Sequence, residues 1–348
     1  MSIVRRMFIE GDNKLATSSN ADTNLTFRDI TAADAQALCD CVKTCYGDTY
    51  FVEEFSDPEK LADLVRRKMI HSQIAVTPTG QVVGHLGLSL ERADDTTADT
   101  LAAMVVPEYR GHRILLELGM QLGKTYEKLN LVGLQLYAIA VHSIVQGHST
   151  DAGGVETGIL LGHFPPDMEI EGFPNAYDGR RIAAVLLYFP LHPAPPQTIY
   201  IPERYQKIID SVYSRLKQDR AIQISTYQPL IEKTIATIDK KPRQGTARIR
   251  IDAVGRNLIE TVAAFKDTSR SAFPVLYVDL PLADPSSAGF VEGLRSLGFF
   301  YAGIVLERSG SDILRMQCMN RNYINPEAIV LARPHGKNLL EFILSDRS

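Results

Sequence analysis

The residues best placed to do chemistry lie in the run Met104-Val105-Val106-Pro107-Glu108-Tyr109-Arg110-Gly111-His112-Arg113. An apolar strand enters an Arg-Gly turn there and continues into the amphipathic stretch Ile114 to Leu129. A strand that ends at a helix N-terminus leaves backbone N–H groups unpaired and the positive end of the helix dipole facing outward, a setting in which a pyrophosphate binds. The backbone from Gly111 and His112 to Ile114 and Leu115 would form the cradle, and Arg110 and Arg113 would add charge-assisted bonds. The alternative is an ordinary strand-turn-helix whose Arg-Gly pair only makes a surface turn. The cysteines point elsewhere. Cys39, Cys41 and Cys45 fall on one predicted helix and Cys318 is distant. With Cys39 and Cys41 on different helix faces and no fourth ligand, reduced thiols are expected, without a metal or a disulfide framework.

These residues need elements to hold them. Periodicity predicts a short strand over 25–30 and helices from Asp34 to Cys45 and Pro58 to Met69. Strands follow at Gln73 to Val76 and Val82 to Leu90, joined by the turn Thr77-Pro78-Thr79-Gly80. A strand over 98–106 then enters the motif, and Gly133 to Val141 reads as the strand after the helix. Pro190, Pro193, Pro195, Pro196 and Pro202 break the pattern. Beyond them come a helix from Glu203 to Lys217, a strand over 246–254, a helix over 256–266 and a strand over 274–280. A helix over 286–297, strands over 299–307 and 312–319, and helices near 325–331 and 337–344 complete the order.

With 348 residues and 45% hydrophobic content, the chain is long enough for two cores. No stretch reads as a membrane span. Residues 1–24 are polar, without a signal core, and are expected to form a flexible arm on a cytoplasmic protein. A net charge of −4 gives no general basic field for nucleic acid. Lys240, Lys241, Arg243, Arg248 and Arg250 are read as a solvated linker and strand face.

The motif resembles the acetyl-CoA signature of the GNAT N-acetyltransferase superfamily, in which a strand, a Pro, an aromatic residue and Arg-Gly-x-Gly-x-Gly/Ala open the cofactor helix. Val105, Pro107, Tyr109, Arg110 and Gly111 match, whereas Arg113 and Leu115 stand where small residues are usual and would crowd the phosphates. A narrower group is also similar: GNAT modules fused to anti-sigma-factor-type ATPase domains share the His142-x-x-x-Gln146 pair and the Glu156-Thr157-Gly158 run. Those two features, with Tyr46 to Tyr50 and Val185 to Phe189, extend the likeness over roughly residues 25–215.

The resemblance implies an α+β fold with the order strand, two helices, three antiparallel strands, motif helix, strand, helix and closing hairpin. Residues 25–195 would form that domain. Residues 196–348 would form a linker helix and a degenerate second GNAT-like domain, because Val275 to Leu280, a helix and Leu297-Gly298-Phe299-Phe300 repeat the later part of the pattern without an Arg-Gly cradle. Each domain would carry a mixed, mostly antiparallel sheet flanked by helices. The second would wall the substrate cleft, form a homodimer interface, or only stabilise the first.

The implied activity is transfer of an acetyl group from acetyl-CoA, as cosubstrate, to a small-molecule or peptidyl amine. Met104, Val105, Val106, Arg110, Gly111, His112, Arg113, Ile114 and Leu115 would hold acetyl-CoA, with the Val105 or Val106 N–H facing the carbonyl oxygen. The amine's proton would go to His142, or to Glu156 or Asp99. His142 also has the plain reading of a strand-end histidine satisfied by backbone. Tyr46, Tyr50 and Gln146 would line the acceptor pocket, and acidic Glu53, Glu54 and Asp57 hint at a cationic acceptor. Ser149 replaces the usual acidic Tyr, leaving Tyr137, Tyr46 or water to protonate the thiolate. That departure keeps open a non-catalytic acyl-CoA sensor.

Overall fold

The computed structural model describes residues 24–168, 179–225, 227–308, 310–319 and 324–347. The expected N-terminal arm lies, but for Asn24, outside the described residues. The first unit runs β1 (Thr26–Asp29), α1 (Ala35–Tyr46), α2 (Pro58–Arg66), β2 (Ile70–Val76), β3 (Val82–Ser89), β4 (Thr97–Val105), α3 (Ile114–Lys128), β5 (Gly133–Ile139), α4 (Ile144–Asp151), β6 (Val155–Phe164) and β7 (Ile182–Pro190). This is the order the resemblance implies. Local chemistry sets its boundaries. The Asp34 carboxylate accepts from the Thr31 N–H (2.8 Å) before α1, and Asp57 caps α2 by accepting from the Lys60 N–H at 3.1 Å. The second unit holds β8 (Gln197–Ile201), α5 (Gln206–Leu216), β9 (Arg220–Ile224), β10 (Ile235–Lys241), β11 (Thr246–Ala253), α6 (Leu258–Ser269), β12 (Val275–Pro281), α7 (Val291–Ser296), β13 (Phe300–Arg308), β14 (Ser311–Met319) and α8 (Pro334–Arg347).

Both units contribute to one 12-stranded sheet, ordered β1-β2-β3-β4-β5-β7-β6-β13-β14-β12-β11-β10. The second half repeats the first. β4 is parallel to β5, which is antiparallel to β7, itself antiparallel to β6; β11, β12, β14 and β13 pair in the same way. Gly153 and Gly158 recur as Gly298 and Gly303 at the same spacing, and the left-handed Gly162 (φ 64°) recurs as Glu307 (φ 53°). No counterparts of β1, β2, α1 or α2 occur among the described residues of the second unit. It is a partial repeat.

The two halves meet where β6 and β13 pair at Gly158 and Gly303 alone. Only backbone fits there: a Cβ on Gly158 would lie 2.3 Å from the Ala302 carbonyl oxygen. Beside this contact the strands diverge, and Gln317 of β14 supplies the missing ladder. Its amide oxygen accepts from the Leu161 N–H at 2.8 Å and its amide nitrogen donates to the Ile159 carbonyl at 3.1 Å. Helix α8 packs on both seam strands, β6 and β13. The sheet therefore has a back face, covered at the seam by α8, and a front face carrying Tyr137, His163 and Phe164, against which Phe51 of the α1–α2 connection packs edge-on at 5.2 Å.

Candidate active site

β4 and β5 pair only over Thr97–Asp99 with Gly133–Gln135, although β4 continues to Val105 and β5 to Ile139. The two strands thus make a V with its vertex at Asp99 and its mouth at the start of α3. A bulge in β4 marks the divergence: its register against β3 shifts between His85 and Gly87, and Ala102 sits at φ 40°. His85 holds that bulge. Its Nδ1–H donates to the Ala102 carbonyl (2.6 Å), and its Nε2 accepts from the Ser72 hydroxyl (2.8 Å). The ring is fully buried, and that burial pushes its pKa down to about 4, so it is neutral. Nothing in the sequence distinguished His85 from any core histidine.

The gap displays backbone donors. Val106 donates to the Val83 carbonyl at 2.9 Å and is occupied in the β3–β4 ladder. Alternation then turns the N–H of Val105 toward β5, into the V. Of the two amides expected to face a thioester, that of Val106 is spent on β3 and that of Val105 turns into the V. At the mouth, Arg110 Nε donates to the Val105 carbonyl (3.2 Å), and His112 Nδ1 lies 3.1 Å from the Tyr109 carbonyl oxygen. Met104 and Ile114 are buried in the core behind the loop.

Gly111 is left-handed at φ 82°, and a Cβ there would meet nothing within 4 Å, so the loop is open. Arg113 occupies the left-handed region as well, φ 56° and ψ 22°, but its side chain is exposed, while Leu115 packs on the hydrophobic core. The crowding expected from these two residues is absent. One side chain goes to solvent and the other into the core.

The residues named for acid–base work do not converge. Glu156 pairs across β7 with Leu187, which pairs with Leu136; Asp99 pairs with Gln135, whose alternate neighbour is Tyr137. Glu156 is therefore on the back face and Asp99 on the front. Glu156 lies under the first turn of α8, against Gly336, where burial pushes its pKa up to about 7. It is not a base for chemistry on the front face. Asp99 is bonded by Arg308 of the second unit, and its burial raises its pKa against the pull of that guanidinium. His142 is half-buried just past β5, at the mouth, its pKa lowered by burial.

Gln146 is fully buried, and its amide is a tether. It donates to the carbonyls of Ile139 (3.2 Å), His142 (3.0 Å) and Val330 (2.9 Å) and accepts from the Ala332 N–H at 3.1 Å. That corrects its expected place in an acceptor pocket. Tyr46 and Tyr50 stack at 4.8 Å in the connection that covers the front face, and Tyr50 meets Phe55 edge-on.

Other polar expectations change as well. Glu53 accepts from the Arg243 N–H (3.0 Å), Glu54 pairs with Lys241 (3.1 Å), and Asp57 caps α2, so these acids join the two units or end a helix. Arg248 and Arg250 are not a solvated linker. Arg248 meets Glu91 at 2.6 Å on the front face, and Arg250 meets it at 3.6 Å. Arg315 forks onto Asp279 with two 2.7 Å bonds, and His163 Nδ1 lies 3.0 Å from the Tyr277 hydroxyl. Nothing in the sequence sets Glu91, Arg308 or Arg315 apart from other charged residues. None of the four cysteines is in a disulfide, and no cluster of three or more His, Cys, Asp or Glu suited to a metal occurs among the described residues. No helix among them is long and apolar enough to cross a membrane.

No family model matches the chain, and no curated protein matches it. Solved structures of about half its length do. One is the ribosomal-protein-S18-alanine N-acetyltransferase from Escherichia coli, 15% identical, TM-score 0.38, covering 49% of this chain and 96% of that one. Another is a dodecameric spermidine N-acetyltransferase from Vibrio cholerae, 16% identical, TM-score 0.36, covering 49% and 95%. A third is the PaiA N-acetyltransferase from Thermoplasma acidophilum in complex with coenzyme A, 16% identical, TM-score 0.32, covering 48% and 98%. By its own element order and strand pairing, the unit from Thr26 to Pro190 has the GNAT fold.

Proposed function

We propose that the chain is an acyl-CoA-dependent N-acetyltransferase that passes an acetyl group to an amine by direct attack in a ternary complex. The observation that carries this reading is the V between β4 and β5, opening beside a left-handed loop at the N-terminus of the 15-residue helix α3. The pyrophosphate sits on the amides from Gly111 to Leu115, and the pantetheine arm enters at the mouth and runs toward the vertex. The thioester carbonyl then takes the N–H of Val105, and the reacting carbon approaches Asp99 rather than His142, which stands at the mouth. The neutral amine attacks, its C–N bond forming as the C–S bond breaks. Asp99 accepts the amine's proton directly or through water. The thiolate is protonated by Tyr137, a front-face phenol whose pKa burial raises, or by water.

Calorimetric titration of the full chain with acetyl-CoA and dephospho-CoA tests the site. Binding of acetyl-CoA that weakens about tenfold in Arg110→Ala, the loss of one charge-assisted contact, is the expected result. No binding would end this reading. A second reading, a non-catalytic acyl-CoA sensor, is favoured by Ser149 at the position of the usual acid and by the Arg308 bond on Asp99. Binding of acetyl-CoA without amine-dependent release of CoA would establish that one instead.

A further inference from the structure

The front face beyond the vertex is built by both units, and its charges are paired. Arg248 faces Glu91 and Arg315 faces Asp279, each pair in direct contact, and Arg308 bonds Asp99. Arg248 also reaches Asp279 at 3.5 Å, so Glu91, Arg248, Asp279 and Arg315 form one network across the join. Arg308 differs from the other two. Its side chain is 5% exposed, yet after the Asp99 bond its Nε and Nη1 have no hydrogen-bond partner, and the Asp95 carboxylate lies 3.9 Å from Nη1. A buried guanidinium edge with idle donors is costly unless something accepts from it. Its planar fork matches a carboxylate.

We propose that the acceptor carries an anionic group as well as its amine, an amino acid or a close relative, held with the amine at Asp99 and the carboxylate on the Nε–Nη1 edge of Arg308. The second unit is then part of the acceptor site, which the first unit alone would leave incomplete. A molecule with both charges also suits a floor on which arginines and carboxylates lie side by side. This rests on the acyltransferase reading for the role of Asp99, but the binding it requires does not depend on acetyl-CoA.

The test is calorimetry of the full chain, with and without acetyl-CoA, against each standard L-amino acid, the amine left when each loses its carboxylate, and spermidine. At least one amino acid should bind about tenfold or more tighter than its decarboxylated counterpart, the worth of a charged hydrogen bond. Arg308→Met should erase that difference, and Arg308→Lys, which keeps the charge partnering Asp99 but loses the fork, should retain part of it. Equal binding of amine and amino acid would overturn the proposal, as would equal weakening of both by Arg308→Met, or binding of spermidine alone or of no probe. Amino-acid binding without acetyl-CoA binding would overturn only the transferase reading. Acetyl-CoA binding and CoA release with carboxylate-free amines alone would overturn only this one.

Discussion

Arg113 shows how one residue's backbone and side chain can be judged separately. Its φ of 56° lies in the left-handed region, where a non-glycine residue costs about 1–2 kcal/mol. Its side chain is exposed, so no packing offsets that cost. Arg113→Gly should therefore raise stability, by up to about 1 kcal/mol once the greater freedom of glycine in the unfolded chain is allowed for. A urea midpoint that moves upward in the variant is the expected result, and a midpoint that falls would mean that the arginine makes contacts that matter. The Arg-Gly turn was legible from residue types alone, because strand, turn and helix signals are contiguous there. The partners of Gln146 were not: Val330 and Ala332 lie far along the chain, and nothing local to Gln146 encodes them. The opposed faces of Glu156 and Asp99 were hidden for a related reason, since facing depends on the register across β7 and on the bulge between Glu156 and Gly158.

Among the elements, the β13–β14 hairpin positions the front face, since it carries Arg308 and Arg315 to the first unit. A buried ion network holds it. Arg220 of β9 bonds Glu307 and meets Asp312 at 2.7 Å; the Tyr213 hydroxyl donates to Asp312 at 2.7 Å, and the Glu307 N–H donates to Asp312 at 3.1 Å. The Arg220 side chain is 1% exposed, so its removal leaves two carboxylates buried without their cation. Arg220→Met should cost about 3–5 kcal/mol, read from urea unfolding, with faster hydrogen exchange in the hairpin. A loss below about 1 kcal/mol, typical of an exposed pair, would show that the network does not hold the hairpin. Periodicity made β3, β4, β5, β11, β12, β13 and β14 and the helices α1, α2, α3, α5 and α6 legible. The strands β8, β9 and β10 were not. Two have only five residues, and β10 is an edge strand with Ile235 and Ile238 exposed, so burial on one face imposes no alternation to read.

At the scale of the whole molecule, contacts across the join make the two units depend on one another, and three histidines, two buried and one half-buried, tie that shared structure to pH. His85 braces the β4 bulge, His163 lies on the front face beside Tyr277, and His335 begins α8, its Nε2 3.1 Å from the Glu156 carbonyl oxygen. Burial pushes their pKa values down to about 4, about 3 and about 4, from an ordinary value of 6.5. As pH falls below 6.5 the unfolded chain takes up protons that the folded one refuses, so the stability these rings contribute is full above 6.5 and is lost toward pH 4. Glu156 works in the opposite sense. With its pKa raised to about 7, the folded chain binds a proton there that the unfolded carboxylate has released, which offsets part of the fall between pH 7 and its ordinary 4.5. Comparison with a single variant isolates one ring from that sum. Wild-type stability should fall more steeply than that of His85→Gln between pH 6.5 and 4, by about 1.4 kcal/mol per pH unit, one proton's worth. Urea unfolding at closely spaced pH values measures both slopes. Parallel curves would mean that His85 takes up its proton without unfolding the chain, and the brace on β4 would then have to be sought in the Ser72 hydroxyl and the packing of Phe55, whose ring lies 5.6 Å from the imidazole.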